Sequence, residues 1–450
     1  MTKLDKNNGE LNTPGDDHSE SPQALAESLR ELPREKKLAL ILSLPPAVAG
    51  EVLWRTDRAS RADIIFRIDN QALDPIIAAM PVDWAAHCLR LLPKPGLKRV
   101  LAKLPPDKAA GLKKQLSYKP DTAGARMDPD VTPFNQDLTA AETVNKIRET
   151  MSLRKVFHCY VVDEKGRLLG VVPLRKLLMA KPDLLLKDLM LPYIISVTID
   201  MDQEEVARIA TKNMIFALPV VNKKGVLMGV ITLDKVLRVI QEEATEDIFK
   251  MAGTDKREIT SQSLFHVARI RAPWLFASFL GGLGAAMIIG IFEDAIAKVA
   301  ALAMFLPIVL GMGGNIGVQS ATVVVRGLAM GYIDVKAIGR TVFKEMCIGL
   351  MLGVAYGIIL GLFAMFRFLG AEPPLGGLSF GISLGFTVGI AIFCSMFIAG
   401  STGAFIPMIL KKMNIDPAIA TGPFVTTSID ILGVITYFLV ATFFLAEHLT

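Results

Sequence analysis

The chain has 450 residues, is 52% hydrophobic and carries a formal net charge of +5. That length leaves room for several domains, and the charge is spread out, with no basic block of the kind nucleic-acid binders carry. Cys88, Cys159, Cys347 and Cys394 are scattered without paired spacing, which speaks against a disulfide framework and against a zinc site.

The charges are unevenly placed. Nearly all Asp, Glu, Lys and Arg lie before Arg271, and long uncharged runs fill the rest. This reads as a soluble half followed by a membrane half. Residues 1–22 are polar, with Asp16, Asp17 and Glu20 ahead of Pro22, and are expected to be disordered; no signal-type apolar stretch stands there.

Residues 23–126 have a helical pattern punctuated by Leu32-Pro33, Leu44-Pro45-Pro46, Met80-Pro81, Leu92-Pro93 and Leu104-Pro105-Pro106. Proline fits the first helical turn, so each site is expected to open a short helix. Pro45–Leu53 and Pro105–Leu112 look like one repeated unit, which suggests a small α-solenoid. Trp84, His87 and Cys88 on one of these helices are read as packing residues.

Residues 127–241 contain two related halves. Phe157–Asp163, Gly166 and Leu168–Val172 form one; Phe216–Asn222, Gly225 and Leu227–Ile231 form the other. Each reads as strand, glycine turn, strand, with a helix before and after, the later ones at Arg175–Ala180 and Asp234–Glu242. This α/β pattern, occurring twice, resembles a tandem CBS pair. In such modules a threonine and an aspartate placed like Thr232 and Asp234 contact a nucleotide, so the resemblance implies ATP at one site; a purely structural regulatory domain is the other reading. The first half has Pro173, Leu174 and Arg175 at the matching place.

Residues 242–270 open with Glu242, Glu243, Glu246 and Asp247, which make like-charged i,i+4 pairs. A bound divalent cation would relieve that repulsion; a solvated acidic face is the alternative. The segment is expected to continue as a connecting helix towards Ser263 and the first membrane helix.

From 271 to 450 the uncharged runs are Ala272–Phe292, Val299–Val325, Met346–Phe366 and Pro373–Leu410, and a fifth, Pro417–Ala446, contains only Asp430. About 20 apolar residues cross a bilayer, so an all-α domain of five transmembrane helices is expected. Lys256, Arg257, Arg269 and Arg271, then Arg326, Lys336, Arg340 and Lys344, then Lys411 and Lys412 mark alternate connections. By the positive-inside rule the amino-terminal half is cytoplasmic and the carboxyl terminus outside.

Counted as one helix from Pro417, Asp430 lies roughly 20 Å in. Thr426 and Thr427 precede it by one turn and Gly433 follows. A carboxylate at membrane depth is unlikely to face lipid, and hydroxyls beside it suit a hydrated hard cation; hydrogen bonding to a neighbouring helix is the other reading. In the second run, Gly311–Ser320 carries Asn315 and Gln319 four apart on one face. They would line a pathway or glue helices together.

These pieces in this order resemble the MgtE family of magnesium channels and transporters. The motifs that carry the likeness are Tyr118-x-x-Asp121-x-Ala123-Gly124, Glu243-Ala-Thr-Glu-Asp-Ile248, Arg271-x-Pro273-Trp274, Gly314-Asn315-x-Gly317-x-Gln319, and Asp416-Pro417-Ala418 through Gly422-Pro423 to Asp430. The resemblance implies a homodimer in a bacterial-type plasma membrane. Its pore would lie on the two-fold axis, with Asp430 facing hydrated Mg²⁺. It also implies regulatory Mg²⁺ at cytoplasmic acids, here Asp202, Glu204, Glu243, Glu246 and Asp247. No nucleic acid and no obligatory protein partner is implied. Met214, Lys235 and Arg238 stand where family members can carry further acids, Lys108 to Lys119 is basic, and Val318 replaces a second amide. These departures imply weaker Mg²⁺ sensing. A secondary transporter coupled to H⁺ or Na⁺ is the runner-up, and a membrane-anchored CBS sensor the third reading. No nucleophile–base constellation, P-loop or catalytic metal motif points to an enzyme.

Overall fold

The structure, a computed structural model, describes residues 21–150, 158–192, 194–260, 263–369 and 378–445. The tail expected to be disordered lies, up to residue 20, outside the described residues. The chain divides into two compact units, with the boundary after Leu237.

The first unit begins with eight short helices: α1 (Pro22–Glu31), α2 (Arg34–Ser43), α3 (Pro46–Arg55), α4 (Arg58–Arg67), α5 (Asn70–Ala79), α6 (Val82–Leu89), α7 (Lys94–Lys103) and α8 (Pro106–Ser117). Each Leu-Pro or Met-Pro site opens a helix, with proline at the cap or first turn. Two more starts are made by aspartates: Asp57 Oδ1 accepts from Ser60 N at 2.9 Å, and Asp69 Oδ1 from Asn70 N at 2.7 Å. The helices bury one continuous core that includes Leu29, Ile41, Leu53, Ile77, Leu89 and Leu112. Trp54 and Trp84 stack at 5.3 Å and Cys88 is buried, so the packing reading of Trp84 and Cys88 is what the structure has.

After the short α9 (Ala123–Arg126) come β1 (Pro133–Asn135), α10 (Ala140–Thr150), β2 (His158–Val162), β3 (Leu168–Pro173), α11 (Leu174–Leu178), α12 (Leu186–Leu189), β4 (Val197–Thr198), α13 (Gln203–Lys212), β5 (Ala217–Val221) and β6 (Leu227–Thr232). They form two three-stranded sheets of the same order, β1-β2-β3 and β4-β5-β6. In each, the first strand is parallel and the third antiparallel to the middle one. The hairpin turns hold Gly166 at φ +74° and Gly225 at φ +77°, a region that favours glycine. Leu168 N donates to Gly225 O and Leu227 N to Gly166 O, both at 3.0 Å, so the two turns pair with each other. The edge strands β1 and β4, only three and two residues long, left no hydropathy signal.

α14 (Leu233–Met251) starts directly after β6 and carries the acidic run. The expected continuous helix to residue 270 is not formed. Gly253 takes φ +71°, Thr254 N donates to Phe249 O at 2.9 Å, and the helix ends there. A 3-10 turn at Lys256–Thr260 follows.

The second unit then has α15 (Leu264–Ile291), α16 (Glu293–Lys298), α17 (Ala301–Ala329), α18 (Ile338–Leu369), α19 (Leu378–Lys412) and α20 (Pro423–Phe444). Five of these, all but α16, are long and apolar enough to cross a membrane. α18 and α19 run together along a glycine seam. A Cβ at Gly361 would stand 2.8 Å from Gly385 O, and one at Gly389 2.8 Å from Gly357 O. Small residues thus let the two backbones meet. α19 also packs on α17 and α20, whereas α15 rests mainly on α20 and leaves Leu275, Phe276, Phe279 and Met287 exposed.

Candidate functional site

α20 starts later than its uncharged run does. Asp416 caps a 3-10 turn at Pro417–Ala420, Gly422 breaks the path, and Pro423 opens the helix. Asp430 therefore comes seven residues, about 10 Å, into its helix rather than roughly 20 Å. Its carboxylate is half-buried, and among the described residues no cation lies close enough to act on it.

Its neighbours divide by role. Thr426 Oγ1 donates back to Gly422 O at 2.9 Å, closing the first turn. Thr427 faces α15: a Cβ at Gly281 would stand 1.9 Å from Thr427 Cγ2. Gly433 is buried, with Leu310 Cδ2 2.9 Å and Ser395 Oγ 3.5 Å from where its Cβ would be. In the single chain it lies against Leu310 of α17 and Ser395 of α19.

On α17, Asn315 and Gln319 are both exposed, while Gly313, Ile316, Gly317 and Ser320 are buried. The reason is a close approach. A Cβ at Gly317 would stand 1.9 Å from Ile429 Cδ1 and 3.3 Å from Ala399 O. Only a residue without a side chain lets α17 accept Ile429, and Ile429 adjoins Asp430. The exposed amides and the half-buried carboxylate thus sit on two helices pinned together by a glycine.

One further acid is buried nearby in the chain of contacts from α17. Glu345 on α18 is 5% exposed and accepts a hydrogen bond from Ser320 Oγ at 2.9 Å. It stands one residue ahead of the uncharged run from Met346, so hydropathy gave no sign of its burial.

The acids expected to sense Mg²⁺ are split between the two units. In the first, Asp202 caps α13 by accepting from Glu204 N at 2.9 Å, and Glu204 is half-buried. Asp234 is exposed in the first turn of α14 and Thr232 ends β6. Lys235, beside them, is buried, with Nζ 2.7 Å from Asp83 Oδ2 on α6. A cavity of about 500 Å³ lies at the first CBS repeat, lined by Pro173, Arg175, Lys176, Met179, Ala180 and Leu189.

In the second unit Glu246 is bonded to cations of its own chain. Lys250 Nζ lies 2.7 Å from Glu246 Oε1, and Lys256 bonds Oε2. Burial pushes the Glu246 carboxyl up, but the bonds from Lys250 and Lys256 outweigh it and hold it below the usual range. Arg326 stands 3.9 Å from Asp247, and Glu243 is half-buried. Among the described residues no three His, Cys, Asp or Glu side chains come together to hold a metal ion.

Comparison with known proteins matches residues 306–440 to the MgtE divalent cation transporter family, 20–121 to the MgtE intracellular N domain, and 123–183 and 186–242 to CBS domains. The magnesium transporter MgtE of Thermus thermophilus is 33% identical over 426 residues, covering 93% of this chain and 92% of that protein. The chain belongs to the MgtE family. The Bacillus subtilis magnesium transporter MgtE is 30% identical, over 94% of this chain and 92% of that one. A solved structure of the cytosolic domain of the Mg²⁺ channel MgtE in complex with ATP is 32% identical, covering 49% of this chain and 91% of that one, with a TM-score of 0.47. The MgtE arrangement of helical domain, CBS pair and apolar helices is what both units display. As an MgtE member the chain is a multi-pass membrane protein of a magnesium-transporting family.

Proposed function

We propose that the chain is a gradient-driven Mg²⁺ channel, not an enzyme, that imports the ion as a homodimer with Asp430 of each subunit facing the pathway. The observation that carries this is Asp430 itself. It is the sole charge from Pro417 to Ala446, it has no counter-cation among the described residues, and its helix packs at Gly317 on α17, the helix that carries the exposed amides.

The physics favours a hydrated ion. Mg²⁺ gives up its water reluctantly, so a site that binds the water shell avoids most of the desolvation penalty. Paired carboxylates supply attraction, and the Asn315 and Gln319 amide oxygens can accept hydrogen bonds from the same waters. The basic connections support an orientation with the amino-terminal half in the cytoplasm of a bacterial-type cell and the carboxyl terminus outside. ATP binding at the CBS module rests on Thr232 and Asp234; the basic cavity at Arg175 and Lys176 is a second place to look.

The regulatory ion fits less well. The described acids of one chain do not form a metal site, and Glu246 is held by lysines. Cytoplasmic Mg²⁺ gating would need these acids brought together and Glu246 released from its lysines, with water completing the shell of the ion.

The test is Mg²⁺ flux into proteoliposomes, wild type beside Asp430→Ala, with proton and sodium gradients clamped to zero. Flux in the wild type that vanishes in a folded, dimeric mutant is expected. Flux only after a proton or sodium gradient is restored would put a coupled carrier in its place.

A further inference from the structure

Glu345 and Ser320 are 5% and 2% exposed, and Ser320 Oγ donates to Glu345 Oε2 at 2.9 Å. The bond joins α17 to α18. A carboxylate buried within a membrane helix bundle is expensive, which makes its task worth asking.

The task is legible in the packing of α17. Its closest approaches to α19 and α20 are at glycine. A Cβ at Gly403 would stand 2.3 Å from Gly317 O, and one at Gly317 1.9 Å from Ile429. Such close contacts set how near the helices come, and buried side chains such as Phe305, Ile316 and Val324 fill the rest of that face without directional bonds. Ser320 lies one turn beyond Gly317 on the same buried face, and its hydrogen bond is directional. Gln319 is the next residue back and Asn315 one turn before that, both exposed. At a side-chain radius of about 5 Å, turning α17 by 20° about its axis would carry these amides roughly 2 Å. That is more than the distance that separates a hydrogen bond from no bond.

We propose that Glu345 is a positioning residue for cation passage. Through Ser320 it holds the rotational setting of α17 at which Asn315 and Gln319 meet the hydrated cation. The proposal rests on the pathway reading above, and it assigns Glu345 no direct contact with the ion.

The experiment measures Mg²⁺ flux against Mg²⁺ concentration for the full chain in proteoliposomes, per folded protein. It compares wild type with Ser320→Ala, Glu345→Ala, Glu345→Gln and Asp430→Asn. Ser320→Ala and Glu345→Ala are expected to raise the half-saturating Mg²⁺ concentration about tenfold, the effect of losing one oriented hydrogen bond. Glu345→Gln keeps an acceptor for Ser320 and should return it to within about twofold of wild type. A bond that only braces the fold would lower the amount of folded protein and leave half-saturation unmoved. Unchanged half-saturation in Ser320→Ala overturns the proposal, even if Glu345→Ala fails to fold. Glu345→Gln as impaired as Glu345→Ala overturns it too, because the charge would then be what matters. Undiminished flux in Asp430→Asn would sink the pathway reading and this proposal with it. A silent Asp430→Asn beside a wild-type Ser320→Ala would sink this proposal alone.

Discussion

Lys250 Nζ lies 2.6 Å from Asp416 Oδ2, joining the last turn of α14 to the residue that caps the turn before α20. The same ammonium holds Glu246, and Lys256 holds that carboxylate's other oxygen. Burial works against the charge on Lys250, but the hydrogen bonds to Asp416 and Glu246 outweigh it and lift its pKa above the usual lysine value. The chain's own lysines thus neutralise an acid nominated for Mg²⁺ sensing and tie its helix to the start of the helix that carries Asp430.

Lys250→Met should loosen that tie. Partly buried pairs of this kind are worth about 1 kcal/mol, so amide exchange over residues 246–251 should quicken about fivefold. Exchange equal to wild type would show that packing alone holds the end of α14.

The tie should also respond to acid, with a definite sign. The lowered Glu246 pKa contributes stability that is present above the ordinary glutamate value, about 4.3, and is lost as pH falls through the lowered one. The raised Lys250 pKa contributes below about 10.4 and is lost only as pH climbs through the raised value. Exchange at 246–251, corrected for its intrinsic pH dependence, should therefore be flat from about pH 5 to 10 and rise under strong acid. A transition between pH 6 and 8 would contradict this assignment.

Asp83→Ala strands a buried ammonium. Lys235 is 7% and Asp83 5% exposed, and removing one partner of such a pair destabilises by about 3–5 kcal/mol. The thermal transition of the amino-terminal unit within the full chain should fall accordingly. Adding Lys235→Met to Asp83→Ala should restore most of it. A double variant no better than the single one would mean that Asp83 matters for something other than the charge of Lys235.

Gly281→Ala puts a methyl group where Thr427 Cγ2 is 1.9 Å away. Overpacking of this kind costs about 1–3 kcal/mol, and α15 has few other contacts to absorb it. The detergent-solubilised protein should unfold at lower temperature, and Thr427→Ser added to Gly281→Ala, which removes that methyl, should recover part of the loss. A wild-type melting temperature for Gly281→Ala would show that α15 shifts freely on α20.

The amino-acid sequence by itself determined the helical amino-terminal domain, the doubled CBS pattern and the five apolar spans. Proline starts, strand–glycine–strand runs and hydropathy are local signals, written in neighbouring residues. Even two errors had local signs: Gly253 ends α14 and Gly422-Pro423 restarts the last helix, both short punctuation that a long uncharged or acidic run overshadowed. Only the tertiary structure decided that Gly433 is buried beside Leu310, that Lys235 meets Asp83, that Lys250 meets Asp416, and that Glu345 takes a hydrogen bond from Ser320. Each of these pairs residues far apart in the chain, and no periodicity within one segment reports which side chain of another helix will stand opposite it.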